Sequence, residues 1–489
     1  MVLAVWFALT PFMVHRLGGT DYGLWALVAS MVVYGRLLDI GIGAAITKYV
    51  AELRARGQSD EASELVATAL GMYCMLGLLV AVATVPVALL FPDLLHIAPE
   101  QRSDARWVIL LTGFALALEL PALIGYNVLR GLQRFGLINI ITTGGTLAQA
   151  AAYVTVLLLG GGVVGLAVTT IPLTVLNVVP MLVAIRRVAP DLRLGLRGAK
   201  RGLVSTVASF SAVLLVINCA GALKTKTDEI VIAGALPLAA VTPYSIARRL
   251  SGLPTILTNQ FVRILFPLAS ELHGSEDRAR LRALYVGSTR LTLALFVPLA
   301  IGLMVLAGPF LAAWVGQRFA SDAHIAVILV AAGLLDIATW PGSSMMMGTN
   351  AHRPLALFAG GSALLNLALS VILVRSIGVT GVALGTLFAT SLEAAVMLPF
   401  GMRHFGVRTR TMLSEALVPA LLPALPAVLA LFFLRSALAP SSLVTVVAAG
   451  AIGGLVYAAG YLSFSASAGE RLALRQVALG TMQLARARR

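Results

Sequence analysis

The chain reads as an all-α polytopic membrane protein. About fourteen transmembrane helices are expected, in two six-helix lobes that form a parallel repeat, with two further helices at the C-terminal end. Three observations predict this. The first is composition: of 489 residues, 59% are hydrophobic and 12% charged, against about 25% charged in a soluble domain. Residues 135–185 hold no Asp, Glu, Lys or Arg, and neither do 65–92, 291–317 or 436–469. About 20 apolar residues cross the hydrocarbon layer as a helix, and these runs lack the strict alternation of barrel strands.

The second observation is an internal repeat. Residues 17–53 recur in 236–272 at a constant offset of 219. Leu17-Gly18-Gly19-Thr20-Asp21-Tyr22-Gly23-Leu24-Trp25 lies over Leu236-Pro237-Leu238-Ala239-Ala240-Val241-Thr242-Pro243-Tyr244, and Glu52-Leu53 over Glu271-Leu272. Further on the offset slips to 216–217. Glu119 then meets Asp336, Gly131 meets Gly348, and residues 162–167 meet 378–383. The shared order of the matches, not any single one, carries the repeat. Duplicated membrane units are the build of transporters, with the substrate site between the halves.

The third observation is loop charge. With the N-terminus inside, the inner loops and tail collect 23 Lys and Arg. The outer loops hold six: Arg16, Arg102, Arg106, Arg318, Arg375 and Arg435. Basic residues gather on the cytoplasmic side, so both termini are expected there. The same rule accounts for the net charge of +15 without nucleic acid.

Taken in order, the predicted helices of the first lobe (1–190) span 1–16, 22–46, 65–91, 105–129, 137–159 and 163–185. The first is short. Its repeat mate begins near residue 213, so it reads as a shortened start. A signal peptide does not fit, since no basic leader or cleavage site is present. The stretch 193–201, rich in Arg and Lys, reads as a linker. The second lobe (191–403, with the linker) carries helices at 208–236, 243–267, 284–308, 323–347, 354–375 and 379–402. Six helices per half return the chain to the same side, which makes the repeat parallel. The remainder, 404–489, holds helices at 413–434 and 442–465 and a basic cytoplasmic tail.

No catalytic constellation stands out. Histidines are scattered, and neither a zinc-protease motif, a nucleophile elbow nor a Walker A loop occurs. Gly160-Gly161-Gly162 reads as a turn. Cys74 and Cys219 sit in apolar runs and read as small core residues. No enzyme activity and no cofactor are expected.

The informative residues are charges inside predicted spans, where each costs several kcal/mol. Among them are Arg36 and Asp39 in 22–46; Lys224, Lys226, Asp228 and Glu229 in 208–236; Arg248, Arg249 and Arg263 in 243–267; and Glu119, Asp336 and Glu393 elsewhere. At about 100° per residue, Arg248, Ser251, Thr255, Asn259 and Arg263 fall on one stripe, a wet face on a membrane helix. Arg36 is the repeat mate of Thr255, so the repeat sets it on the equivalent face of 22–46. Across a pseudo-twofold the two faces would meet and enclose a cavity rich in guanidinium groups, suited to a diphosphate. The plainer reading is structural pairing: Arg36 with Asp39 and Lys224 with Asp228 along one helix, and Arg263 reaching back to the inner surface. Glu393 reads either as a proton site or as a packing group.

The run 16–27, Leu37-Leu38-Asp39-Ile40-Gly41-Ile42-Gly43 and Lys48-Tyr49-Val50-Ala51-Glu52 resemble the N-terminal signature of bacterial polysaccharide flippases. These belong to the MATE-like multidrug/oligosaccharidyl-lipid/polysaccharide exporter superfamily. Asp228, Tyr244 and the segment 267–272 resemble the matching parts of the second half. The likeness spans nearly the whole chain, and its short first helix departs from the pattern. It implies a flippase that carries an undecaprenyl-diphosphate-linked oligosaccharide to the outer leaflet by alternating access. The polyprenyl-diphosphate-linked glycan and membrane lipid would be its partners. H⁺ or Na⁺ and glycan polymerase and ligase proteins are further candidates. On this reading Arg36, Arg248, Arg263, Asn259, Thr255, Lys224 and Lys226 would bind substrate, and Asp39, Asp228, Glu229 and Glu393 would couple or gate. A cation-coupled drug exporter would want an acidic, aromatic cavity instead. A non-transporting envelope-assembly scaffold would have no need of arginine and lysine at membrane depth.

Overall fold

The apolar runs form helices throughout. The chain, a computed structural model, is described over residues 2–39, 41–95, 97–349, 351–466 and 470–471. The expected basic tail with Arg475, Arg486, Arg488 and Arg489 lies outside the described residues. In order the helices are α1 (Val2–Arg36), α2 (Ile42–Ala55), α3 (Ser59–Leu94), α4 (Pro99–Gly131), α5 (Phe135–Leu158), α6 (Gly162–Val188), α7 (Arg201–Ala235), α8 (Val241–Ser251), α9 (Leu253–Val262), α10 (Leu265–Gly274), α11 (Arg278–Trp314), α12 (Ala323–Gly348), α13 (His352–His404), α14 (Thr409–Met412), α15 (Val418–Leu421), α16 (Ala424–Leu438) and α17 (Leu443–Gly460). Among the described residues, nine stretches are long and apolar enough to cross a membrane.

Two expected pairs of helices run together across kinks, at Gly18 in α1 and at 377–378 in α13. Elsewhere expected rods break. The expected 22–46 helix stops at Arg36, tightens into a 3-10 turn at Leu37–Asp39 and resumes at Ile42. The expected 243–267 helix divides at Gly252 and at 263–264. Proline explains both of those breaks: Pro254 has no N–H for the Leu250 carbonyl, nor Pro267 for that of Arg263. The expected 413–434 helix becomes π-helical at Leu413–Leu417 and breaks before Ala424, where Pro423 and Pro426 interrupt it.

The chain packs as two compact units, Met1–Ser245 with Ala359–Val382, and Ile246–Phe358 with Ala383–Arg489. The first centres on Ile46, Val66, Tyr73, Leu120, Val128 and Ile185, from α2, α3, α4 and α6. The second centres on Tyr285, Met345, Met346, Met397 and Phe405, from α11, α12, α13 and the turn after it. These packing units do not follow the repeat boundaries, because α7 packs on α1, α2 and α3.

The repeat is visible inside each unit. In the first, a Cβ on Gly131 would lie 3.0 Å from the Thr47 carbonyl and from the Val50 side chain. In the second, a Cβ on Gly348 would lie 2.6 Å from the Phe266 carbonyl and 3.3 Å from the Ala269 side chain. These are mates throughout, and each glycine lets α4 or α12 reach the backbone of its neighbour. Gly162 and Gly378, also mates, both take positive φ, 58° and 62°, as glycine readily does. Within the first unit, the Thr242 hydroxyl donates to the Gly19 carbonyl, while the Leu238 carbonyl crowds the place of a Gly23 Cβ. Gly19 is the mate of Leu238 and Gly23 of Thr242, so each contact is the image of the other. Reciprocal contacts of this kind mark a twofold relation.

Two fastenings need polar chemistry. The Arg435 Nη1 on α16 donates to the Val305 carbonyl of α11 at 2.8 Å. Pro309 leaves that carbonyl without its helical partner, so the appended helix supplies a donor. The segment after α6 is strapped along α3. Asp191 pairs with Arg54 and accepts from Ser59 Oγ at 2.6 Å; Arg193 N–H donates to Ser63 Oγ at 3.0 Å; Lys200 pairs with Glu64 at 2.6 Å. The Ser59 hydroxyl first, and then its own backbone amide and Arg54, hold the exposed Asp191 carboxyl below the usual carboxylate range. Cys74, expected in a core, is instead exposed, and Cys219 is half-buried; an apolar side chain in a membrane helix has no need to be covered by protein.

Candidate functional site

Arg36 ends α1, where the expected helix gives out. Its side chain is 56% exposed and pairs through Nη2 with Glu119 Oε2 of α4 at 3.0 Å. The own-helix pairing of Arg36 with Asp39 is therefore corrected. The 3-10 turn carries Asp39 away to face α3 and α4, where it accepts from Tyr73 Oη and, at 3.5 Å, from Asn127 Nδ2. Asn127 Nδ2 also donates to Tyr73 Oη at 3.0 Å. Asn127 and Tyr73 are buried, so these bonds offset the cost of holding their polar atoms away from water.

The second cluster lies on α7, in the same unit. Tyr34 Oη of α1 bonds the Thr227 hydroxyl, which brings the Arg36 end of α1 to the α7 segment bearing Lys224, Lys226, Asp228 and Glu229. The two lysines are half-buried, and Asp228 and Glu229 are buried, Asp228 to 1% exposure. Asp228 Oδ2 accepts from Tyr244 Oη. Its Oδ1 lies 3.4 Å from Ser370 Oγ, and that hydroxyl is 3.2 Å from Asn366 Oδ1, with one proton to share. Asn366 Nδ2 donates to the Lys224 carbonyl at 3.0 Å. Hydroxyl groups from two other segments thus reach this carboxylate.

The rest of the expected site belongs to the second unit. Arg248, Thr255 and Asn259 are half-buried, Arg263 is exposed and Glu393 half-buried. The continuous wet stripe is corrected in two ways. The breaks set its members on separate short helices, and Ser251 is buried with its hydroxyl turned to the Arg248 carbonyl at 3.0 Å. Thr255 Oγ1 likewise bonds the Gly252 carbonyl at 2.6 Å. Asp336, the mate of Glu119, accepts from Trp340 Nε1 at 3.1 Å. Among the described residues no group of three or more His, Cys, Asp or Glu could hold a metal.

Sequence reasoning found the charges and missed their uncharged partners: Tyr73, Asn127, Asn366 and Ser370. The available signal was a polar side chain inside an apolar run, with Asn366 and Ser370 one helical turn apart.

The sequence model of a family described as polysaccharide biosynthesis protein matches residues 16–323. No curated protein matches the chain. Among solved structures, an inward-facing multidrug resistance MATE family transporter of the MOP superfamily aligns with TM-score 0.72 at 16% identity, over 83% of this chain and 94% of that one. The lipid II flippase MurJ, in an inward closed conformation, aligns with TM-score 0.71 at 14% identity, over 94% of this chain and 95% of that one. At such identities the likeness establishes the fold, a polytopic helical membrane architecture shared by these transporters.

Proposed function

Because the chain belongs to the polysaccharide biosynthesis protein family, we propose that it is a flippase for a lipid-linked oligosaccharide. Its substrate is an undecaprenyl-diphosphate-linked glycan, moved from the inner to the outer leaflet of a bacterial inner membrane. The halves 1–190 and 191–403 alternate access, both termini face the cytoplasm, and glycan polymerase and ligase proteins take the product. The observation that carries this reading is Arg36. A guanidinium in an otherwise apolar stretch is more than half exposed and spends one nitrogen on its ion pair. The remaining N–H groups fit the geometry of a diphosphate, which arginine grips through two parallel bonds.

Arg248 and Arg263 offer further guanidinium groups during the cycle, with Lys224, Lys226, Thr255 and Asn259 as lesser contacts. Asp39, Asp228, Glu229 and Glu393 serve coupling: when a phosphate draws off a nearby cation, a carboxylate is left to take H⁺ or Na⁺. Each state then has its own contacts, as a ligand-driven shift requires.

Export of the lipid-linked glycan by cells carrying Arg36→Ala or Arg248→Ala tests the binding role. Both variants are expected to accumulate in the membrane and to lose export, since a lost contact to a charged group costs about 1.5–3 kcal/mol. Lysine restores export in part, keeping the charge and losing the fork. Wild-type export by both alanine variants overturns the reading.

A further inference from the structure

The partner of Arg36 is itself informative. Glu119 stands on α4 with a side chain 29% exposed, against 56% for Arg36, and the two meet through one nitrogen and one oxygen. A structural strut between α1 and α4 is the plain explanation, and three observations oppose it. Partly exposed pairs of this kind hold helices together weakly. The helices already meet beside the pair, where Gly35 lies against the Leu116 side chain. The repeat supplies the third: the mate of Glu119 is Asp336, and the mate of Arg36 is Thr255. The acid recurs while threonine stands in place of the arginine, and α12 still packs on α9 there. The architecture that repeats thus does not require an arginine at this position.

We propose that Glu119 is an internal stand-in for one phosphate of the substrate. It holds Arg36 while the site is empty and yields it when the diphosphate arrives. The inference rests on Arg36 as a diphosphate ligand. While the site is empty, the Arg36 charge draws a counter-ion of opposite sign. A carboxylate bound through one contact serves as that counter-ion and remains displaceable. A diphosphate, with more charge and more oxygens, forms the bidentate contacts that displace it. At the outer leaflet the carboxylate retakes Arg36 and speeds release. Glu119 is a positioning residue, acting through Arg36. It weakens binding so that the cycle turns over.

Binding of undecaprenyl diphosphate to the full-length protein in lipid nanodiscs, together with glycan export, tests this. Removing the competitor leaves Arg36 waiting without a partner, so Glu119→Gln is expected to bind about tenfold tighter, the worth of one charged contact. Its export turnover falls while the substrate concentration for half-maximal export drops. Arg36→Ala binds weakly, and Glu119→Gln on that background gains nothing further. Glu119→Asp keeps the charge and shortens the reach; it tightens binding to a lesser degree and serves if the glutamine variant does not fold. Unchanged or weaker binding in the folded Glu119 variants, with Arg36→Ala still impaired, overturns the stand-in and leaves the role of Arg36 intact. Wild-type binding by Arg36→Ala overturns that role itself.

Discussion

Asp228 shows how much chemistry one residue concentrates in this fold. It is buried at 1% exposure, accepts from Tyr244, and lies 3.4 Å from the Ser370 hydroxyl. On the proposed coupling role, this carboxylate takes up H⁺ or Na⁺ during the cycle. Asp228→Asn keeps the shape and removes the charge. Export is expected to slow and to change its dependence on pH or Na⁺, while undecaprenyl diphosphate binds within a few-fold of wild type. Binding lost as fully as in Arg248→Ala, with ion dependence unchanged, would make Asp228 a structural partner only. The charged members of the candidate site were legible in the sequence, because charge at membrane depth is costly enough to need a reason. Their partners were not. Arg36 finds Glu119 across 83 residues, and nothing local favours it over Asp39, three residues away. Tyr73, Asn127, Asn366 and Ser370 carry no charge, and hydroxyl and amide side chains in membrane helices commonly bond their own backbone, as Thr255 does here.

At the scale of elements, apolar runs announced the helices and concealed their breaks. The divisions of 243–267 follow Pro254 and Pro267, which the sequence displays. Whether a proline kinks a helix or stops it depends on what its neighbours supply, as Arg435 does for the carbonyl freed by Pro309 in unbroken α11. The glycines of the repeat had a visible purpose only once packed. Gly131→Val and Gly348→Val each force a side chain onto a facing backbone carbonyl. Each is expected to destabilise the protein by about 1–3 kcal/mol, the usual cost of overpacking, read as a lower midpoint of thermal unfolding in detergent. Gly136→Val, at an exposed position with open space around it, should leave the midpoint unchanged. Equal midpoints for all three would remove the close-approach argument. The strap on α3 carries a pH signature. Asp191 is held below the ordinary carboxylate range. Its contribution is therefore present above that range and lost as pH falls through the depressed value. Amide exchange of residues 189–200, corrected for its intrinsic pH dependence, should show protection lost on acidification. Ser59→Ala should move that loss to higher pH. Protection indifferent to both would mean that Asp191 does not hold the strap.

At the scale of the whole molecule, the sequence repeat adds a constraint that no single element carries. The reciprocal contacts of Gly19 with Thr242 and Gly23 with Leu238 join the segments that the sequence repeat aligns. A parallel repeat requires an even number of crossings between mates, so residues 17–25 and 236–244 must lie on the same side of the membrane. Loop charge then decides which side. The basic segments follow α2, α4, α6, α10 and the end of α13, and the opposite loops hold only six arginines. The positive-inside bias predicts the Gly19–Thr242 contact outside and the strap on α3 inside. Both native cysteines, of which Cys74 is exposed, must first be replaced by serine. A single cysteine at Asp104, exposed before the apolar part of α4, should react in intact cells with an impermeant maleimide. One at Ala199, exposed on the strap, should react only after the membrane is opened. Labelling of Ala199→Cys in intact cells would reverse the orientation. Labelling of both positions in intact cells would deny that an odd number of spans separates them, and the fourteen-helix count would fall with it.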